Sequence, residues 1–309
     1  MKYSILIPAY KANYLEECIK SILSQTYEDY ELIIVDDASP EDLKSIVNKF
    51  ADSRINYYRN ENNCGAINVV DNWNICLNYS KGEYVICMGD DDKLLPNCLE
   101  EYNKLMSIYP GLNVYHGWTE IIDEKSNVYK MQEARPLWEG MYSMMWHRFK
   151  GRRQYIGDFL YKSSFLKNNN GFYKLPLAWG SDDITAYIAS INKGIANTQT
   201  PVFQYRENAI SITNSGNIPL KIKSLLSVRE WCIEIMNNLE PCNNIEKIFK
   251  EMLLNNLDIY ISHTLSLYIS CDLKNSNKLK RLFFWINNKK NYQVSYKNIL
   301  VGFLKSIYP

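Results

Sequence analysis

Along the first 110 residues, short apolar runs alternate with stretches whose apolar positions recur every three to four residues. Tyr3 to Tyr10 (YSILIPAY) is one such run, closed by a proline-marked turn, and it predicts a strand. Tyr14 to Ser24 places Leu15, Cys18, Ile19, Ile22 and Leu23 on one face of an amphipathic helix. Glu31 to Val35 predicts a second strand, ending in acids. Ser39-Pro40-Glu41-Asp42 then has the form of an N-cap with proline in the first turn, for a helix to about Phe50. Arg54 to Arg59 predicts a third strand, Asn62 to Gly65 a loop, and Asn68 to Tyr79 a helix. Tyr84 to Met88 is a buried strand closed by Gly89 and three acids, Asp90, Asp91 and Asp92.

The pattern is less regular afterwards. A helix is expected from Leu94 to about Tyr109, a strand from Asn113 to Trp118, and a hairpin about Lys125-Ser126-Asn127. Residues 131–160 are aromatic and irregular, suited to core packing or to an acceptor groove. Phe159 to Tyr161 predicts a strand, Ser163 the cap of a short helix, and Ile184 to about Asn192 a helix preceded by Asp182-Asp183. From about Pro219 the pattern is helical, with Leu220–Asn238, Ile245–Ile261 and further pieces.

This β-α-β-α-β-α-β order implies an α/β fold: a mostly parallel sheet with right-handed crossovers and helices on both faces. Pro8-Ala9, Asp36-Asp37 and Asp90-Asp91-Asp92 would then share the carboxyl edge of the sheet, where such folds bind ligands. Adjacent carboxylates repel unless a cation sits between them, and a hard divalent ion completed by substrate phosphates would serve. A solvated acidic turn is the alternative for three acids taken alone. No GxGxxG follows the first strand and no GxxxxGK[ST] occurs, which disfavours a dinucleotide fold and a P-loop.

Composition narrows the reading further. A net charge of +1 gives no bulk electrostatic case for nucleic acid. The eight cysteines form no CxxC pair and, with no signal peptide in front, read as reduced thiols of a cytosolic protein. The three histidines have no metal-ligand spacing. Met252 to Cys271 is interrupted by Asn255, Asn256, Asp258 and His263, so it reads as a core helix and not a membrane span. The tail sets Lys278, Lys280, Arg281, Lys289, Lys290, Lys297 and Lys305 among Leu, Phe, Trp, Ile and Tyr. Such an end suits an anionic membrane surface, or the solvated face of a packed helical appendage.

SILIPAYKANYLEECIKSILSQTYEDYELIIVDDASPED followed by KGEYVICMGDDDKLLP resembles the family 2 glycosyltransferases of the GT-A fold. Asn74 ahead of Gly82-Glu83-Tyr84, Asn170-Gly171-Phe172, and Tyr205-Arg206 near Ser211 extend the resemblance, in order, over about residues 1–213. It implies a Rossmann-like GT-A domain at 1–213 with a C-terminal helical appendage at 214–309. The nucleotide-sugar half would be about 1–110 and the acceptor half about 111–213. Pro8, Ala9, Tyr10 and Asp37 would hold the donor's base, uracil more commonly than guanine, with Asn68 as a further contact. Asp90 would lie near the ribose, and Asp91, with Asp92 beside it, on a Mn2+ or Mg2+ bridging the diphosphate. Many relatives read Asp-x-Asp-Asp; Gly89 departs from that pattern and leaves the split of roles among the three acids open. Asp183, in a pair with Asp182, would be the general base of an inverting transfer. Outside the family context, that pair is a helix N-terminal acid pair favoured by the macrodipole. Arg206 would clamp a phosphate or pair with an acid.

No QxxRW motif occurs, which points to one sugar added per encounter. The expected partners are a nucleotide-sugar donor and a glycan or lipid-linked glycan acceptor, in capsule or surface-polysaccharide assembly. The setting would be the cytoplasm or the inner membrane face, with an oligomer formed through the helical tail as a further option. Two rivals stand: a sugar nucleotidyltransferase, which usually carries a glycine-rich basic signature absent from IPAYKANY, and a non-catalytic glycan-binding scaffold, which would be expected to lose the acids.

Overall fold

The computed structural model describes residues 1–208 and 217–307, so Ser211 and the expected boundary at 213 lie outside the described residues. Among the described residues, ten strands form one sheet: β1 (Tyr3–Ala9), β2 (Tyr30–Asp36), β3 (Ile55–Arg59), β4 (Tyr84–Cys87), β5 (Lys93–Leu94), β6 (Val114–Ile122), β7 (Val128–Met131), β8 (Trp138–Glu139), β9 (Phe159–Lys162) and β10 (Ile195–Arg206). The helices before β10 are α1 (Leu15–Leu23), α2 (Leu43–Val47), α3 (Val69–Tyr79), α4 (Cys98–Ile108), α5 (Met141–Phe149), α6 (Ser163–Asn168) and α7 (Ser181–Ser190). After it come α8 (Ile218–Asn238), α9 (Asn244–Lys274), α10 (Lys278–Asn288) and α11 (Tyr296–Ile307).

The strand order is β3-β2-β1-β4-β9-β6-β10-β5. β3, β2, β1 and β4 are parallel, in the doubly wound manner expected. The register pairs Ala9 with Asp36 and Leu6 with Cys87, which brings the turns after β1, β2 and β4 to one edge. Beyond β4 the sheet becomes mixed, because β9 inserts antiparallel between β4 and β6.

Two apolar layers cover the sheet. Cys18 and Ile22 of α1 pack with Leu99 and Tyr102 of α4 on one face. On the other, Trp73 of α3, Tyr142 of α5 and Tyr187 of α7 share a single core with Ile222, Leu253, Ile269, Trp285 and Ile299 of the C-terminal helices. These helices therefore pack as part of that layer. Among the described residues, no helix is long and apolar enough to cross a membrane.

Several local expectations change. Asp42, not Ser39, caps α2, accepting from Ser45 N at 3.1 Å, while Ser39 Oγ donates to Tyr10 O. α4 begins only at Cys98, because Lys93–Leu94 is spent as a strand against β10. Ser163 is the first residue of α6 and donates its hydroxyl to Gly82 O instead of capping. β10 and α5 are elements that the sequence pattern did not indicate.

Candidate active site

The acid loop is anchored at both ends. Asp90 Oδ2 accepts from Tyr10 N and Lys11 N, both at 2.7 Å, which ties it to the turn after β1. Burial, reinforced by the charge of Asp91, pushes the Asp90 carboxyl up to about 6. Asp92 Oδ1 accepts from Arg206 N at 2.9 Å, and Asp91 Oδ2 from Asn208 Nδ2 at 2.6 Å. Burial and then Asp91 hold the Asp92 carboxyl well above the usual carboxylate range.

The turns after β1 and β2 are stitched to this loop. Asp37 N donates to Ala9 O at 2.9 Å. Asp37 Oδ1 accepts from Cys64 N and Asn60 Nδ2, each at 2.9 Å, and Asn68 Nδ2 donates to Cys64 O at 3.3 Å. Pro8, Ala9, Tyr10, Asp37, Asn68 and Asp90 are thus joined at one edge of the sheet, with Tyr10 and Asn68 exposed.

Of the two roles expected of Arg206, the structure shows the pairing with an acid, Glu17. Its side chain is fully buried, and its guanidinium donates to Asp91 O at 2.8 Å, to Asp123 O at 3.0 Å and to Glu17 Oε2 at 2.5 Å. It also lies 4.1 Å from the ring of Tyr14. Arg206 is a strut under the acid loop.

The Gly89 departure also has a physical reading. A Cβ there would lie 2.8 Å from Asp91 Oδ1 and 2.9 Å from Asp92 Oδ2. Two carboxylate oxygens therefore crowd one small space that only glycine leaves open, and their mutual repulsion is what a cation relieves. Among the described residues no cluster of three acidic, His or Cys side chains could hold a metal. The pair fits a Mg2+- or Mn2+-type ion held by one or two carboxylates and completed by substrate phosphates.

Asp182 and Asp183 occupy the first turn of α7, after Gly180 in the left-handed region at φ 88°. Asp183 Oδ1 accepts from Arg148 Nε at 2.9 Å and from Gln154 Nε2 at 2.5 Å. Asp182 is pushed up to about 8, by burial first and then by the Asp183 charge. Asp92, Asp182 and Asp183 line one cavity of about 540 Å³, with Arg148, Trp179 and Tyr205 and with Tyr260 and Tyr268 of α9. Trp179 Nε1 donates to Tyr268 Oη at 2.8 Å, fixing the wall shared with the C-terminal helices. Arg148 and Gln154 come from the aromatic, irregular stretch, where no motif marks them.

A family model described as Glycosyl transferase family 2 matches residues 4–174, more than half of the 309. The chain belongs to this family. A relative in Escherichia coli, UDP-Glc:alpha-D-GlcNAc-diphosphoundecaprenol beta-1,3-glucosyltransferase WfgD, is 34% identical over 128 residues, 41% of this chain and 49% of that one. The chain spans about half of that relative's length, and 38% of the length of another curated relative. Among solved structures, S. aureus TarS 1-349 in complex with UDP-GlcNAc matches 99% of this chain and 91% of its own, at TM-score 0.65 and 15% identity. The mannosyltransferase PcManGT of Pyrobaculum calidifontis, in complex with GDP-Man and Mn2+, matches 99% of this chain and 87% of its own, at TM-score 0.55 and 15% identity. At that identity the two structures show a shared fold, GT-A with a C-terminal helical part.

Proposed function

We propose that this chain is an inverting glycosyltransferase that moves one sugar per encounter from a nucleotide-sugar, a UDP-sugar in the first instance, to a hydroxyl of a lipid-linked glycan. The observation that carries the reading is the cavity that joins the acid loop, through Asp92, to Asp182 and Asp183. Family membership and the activity named for the E. coli relative support the substrate class and a place in surface-polysaccharide assembly, with the cytoplasm as the setting.

The turn Pro8-Ala9-Tyr10, Asp37 and Asn68 would receive the base, and Asp90 the ribose. Asp91 and Asp92 would hold a divalent ion, which when bound supplies Lewis-acid stabilisation of the leaving diphosphate. Asp183 takes the acceptor proton as the acceptor oxygen bonds to the anomeric carbon and the carbon–phosphate oxygen bond breaks, a single displacement that inverts the centre. Among the described residues, both hydrogen bonds to the Asp183 carboxylate fall on Oδ1, which leaves Oδ2 as the oxygen for that proton. Burial and the Asp183 charge hold the Asp182 carboxyl up at about 8, which favours its protonated form beside the base.

Binding and turnover of UDP-, GDP- and dTDP-sugars, with Mn2+ and with chelator, test this. Expected are metal-dependent binding of one nucleotide, lost in Asp91→Ala, and turnover lowered about 10²- to 10⁴-fold with binding retained in Asp183→Ala. No nucleotide binding under any condition would overturn the reading and leave the scaffold alternative. Release of pyrophosphate from a sugar phosphate and a nucleoside triphosphate would favour the nucleotidyltransferase.

A further inference from the structure

α10 and α11 lie antiparallel on α9. Lys278 Nζ donates to Ser306 O at 3.1 Å at one end, and Lys289 Nζ lies 4.5 Å from the Tyr296 ring at the other. Each helix turns a defined face to α9. Arg281 and Trp285 of α10 both donate to Asp272, at 2.7 and 2.8 Å. Asn298 of α11 donates to Ser262 O at 2.9 Å, and a Cβ at Gly302 would lie 2.8 Å from Ile269, so that helix sits close.

The opposite faces should be polar if solvent were their only neighbour. They are not. Leu279 and Phe283 of α10 are 67% and 62% exposed, and Tyr296 and Leu300 of α11 are 64% and 59% exposed. Leu304 and Ile307 extend the α11 stripe at helical spacing and are exposed as well. The charge is equally one-sided. From Lys274 to Pro309 the sequence has eight Lys or Arg and no Asp or Glu, although the whole chain is only +1. Exposed Lys280, Lys290 and Lys297 stand among the apolar side chains.

We propose that the outward faces of α10 and α11 form a docking surface for an anionic lipid bilayer. Interleaved apolar and cationic side chains on helices that lie in a plane satisfy both parts of such a surface, the acyl boundary and the anionic headgroups. A second copy of this chain is a poor occupant, since a twofold contact would set the cations of one face against the same cations of the other. The placement also has a consequence for the site. α9, which carries this pair, contributes Tyr260 and Tyr268 to the cavity, so docking would bring the cavity wall to the headgroup region where a lipid-linked acceptor is presented.

The test is sedimentation of the full chain with vesicles of phosphatidylcholine alone and of phosphatidylcholine with phosphatidylglycerol, at low and high salt. Expected is binding to the anionic vesicles at least about tenfold above the neutral ones, weakened by salt. The double variant Phe283→Asp/Leu300→Asp should lose that binding with an unchanged circular dichroism spectrum, because both positions are exposed. The triple variant Lys280→Gln/Lys290→Gln/Lys297→Gln should lose the preference for anionic lipid. Equal binding to neutral vesicles, no binding, or binding indifferent to these variants overturns the proposal. So does a dimer in solution that the double variant abolishes while vesicle binding is absent. Vesicle binding needs neither nucleotide nor turnover, so its failure would leave the transferase reading intact.

Discussion

At the scale of single residues, the site is ordered by a chain of donors that leads inward from Asp183. Arg135 has only donors to offer and presents Nη2 to Gln154 Oε1 at 3.2 Å, so the amide must turn its Nε2 toward Asp183, where it stands at 2.5 Å. Gln154 and Arg148 are thereby aimed at the same carboxylate oxygen. Asp182 is held up at about 8, against 3.8 for an ordinary aspartate, by burial and by Asp183, which outweigh the opposing pull of the Arg148 charge and of backbone N–H groups. The linkage has a definite sign. The folded chain keeps the Asp182 proton over a range of pH in which the unfolded chain has lost it. This contribution to stability is therefore complete below about pH 4 and is lost as pH rises toward about 8. Asp182→Asn, which cannot ionise, should raise the unfolding temperature relative to the parent more at pH 8 than at pH 5. Thermal unfolding at the two values checks this; an equal difference at both would show that Asp182 titrates normally.

At the scale of elements, α5 shows why part of the fold escapes a sequence reading. Its N-terminus has no local side-chain cap. The cap comes from α9, where Glu246 accepts from Tyr142 N at 2.7 Å through one oxygen and from Ser143 N at 3.1 Å through the other. Gly140 makes room for it, since a Cβ there would fall 2.1 Å from the Glu246 carboxyl carbon. Glu246→Gln keeps the shape but has one acceptor oxygen, so one amide is left facing an NH2 group. The expected loss is about 1–3 kcal/mol in urea unfolding. A cap supplied from 104 residues away leaves no local signature, and β10 is hidden for a related reason. Polar Asn197 to Thr200 and Pro201 argue against a strand, and Pro201 is accommodated only because the register with β6 shifts around it. By contrast β1, α1, β2 and β4 are set by runs of their own apolar residues, and the acids that follow β2 and β4 come to the edge with them. The places of Asp37, Asp90, Asp91 and Asp92 at that edge were legible for that reason. Arg148 and Gln154 were not, because only the tertiary packing of α5 and the segment after it brings them to Asp183.

At the scale of the whole molecule, the C-terminal helices share the core of one sheet face and a wall of the cavity. Trp285 is fully buried there, Tyr142 Oη donates to Leu239 O at 2.8 Å, and Trp179 meets Tyr268 across the same boundary. An appendage that folded by itself would bury its own apolar surface and leave the sheet face covered by α3, α5 and α7. Here Ile222, Leu253, Ile261 and Ile269 fill that face together with Trp73, Met144 and Tyr187. Ending the chain at Asn208 would uncover this layer at once and open the cavity on the side of Tyr260 and Tyr268. A truncated chain should therefore aggregate instead of yielding a folded monomer, while the full chain unfolds in one step, with calorimetric and van't Hoff enthalpies in agreement. Scanning calorimetry of the full chain decides between the arrangements. Two separable transitions, one retained by the truncated chain, would mean that the helices form a second unit that leans on the transferase fold and does not complete it. One transition would mean that any lipid-docking force on α10 and α11 acts on the same cooperative body that holds Asp182 and Asp183.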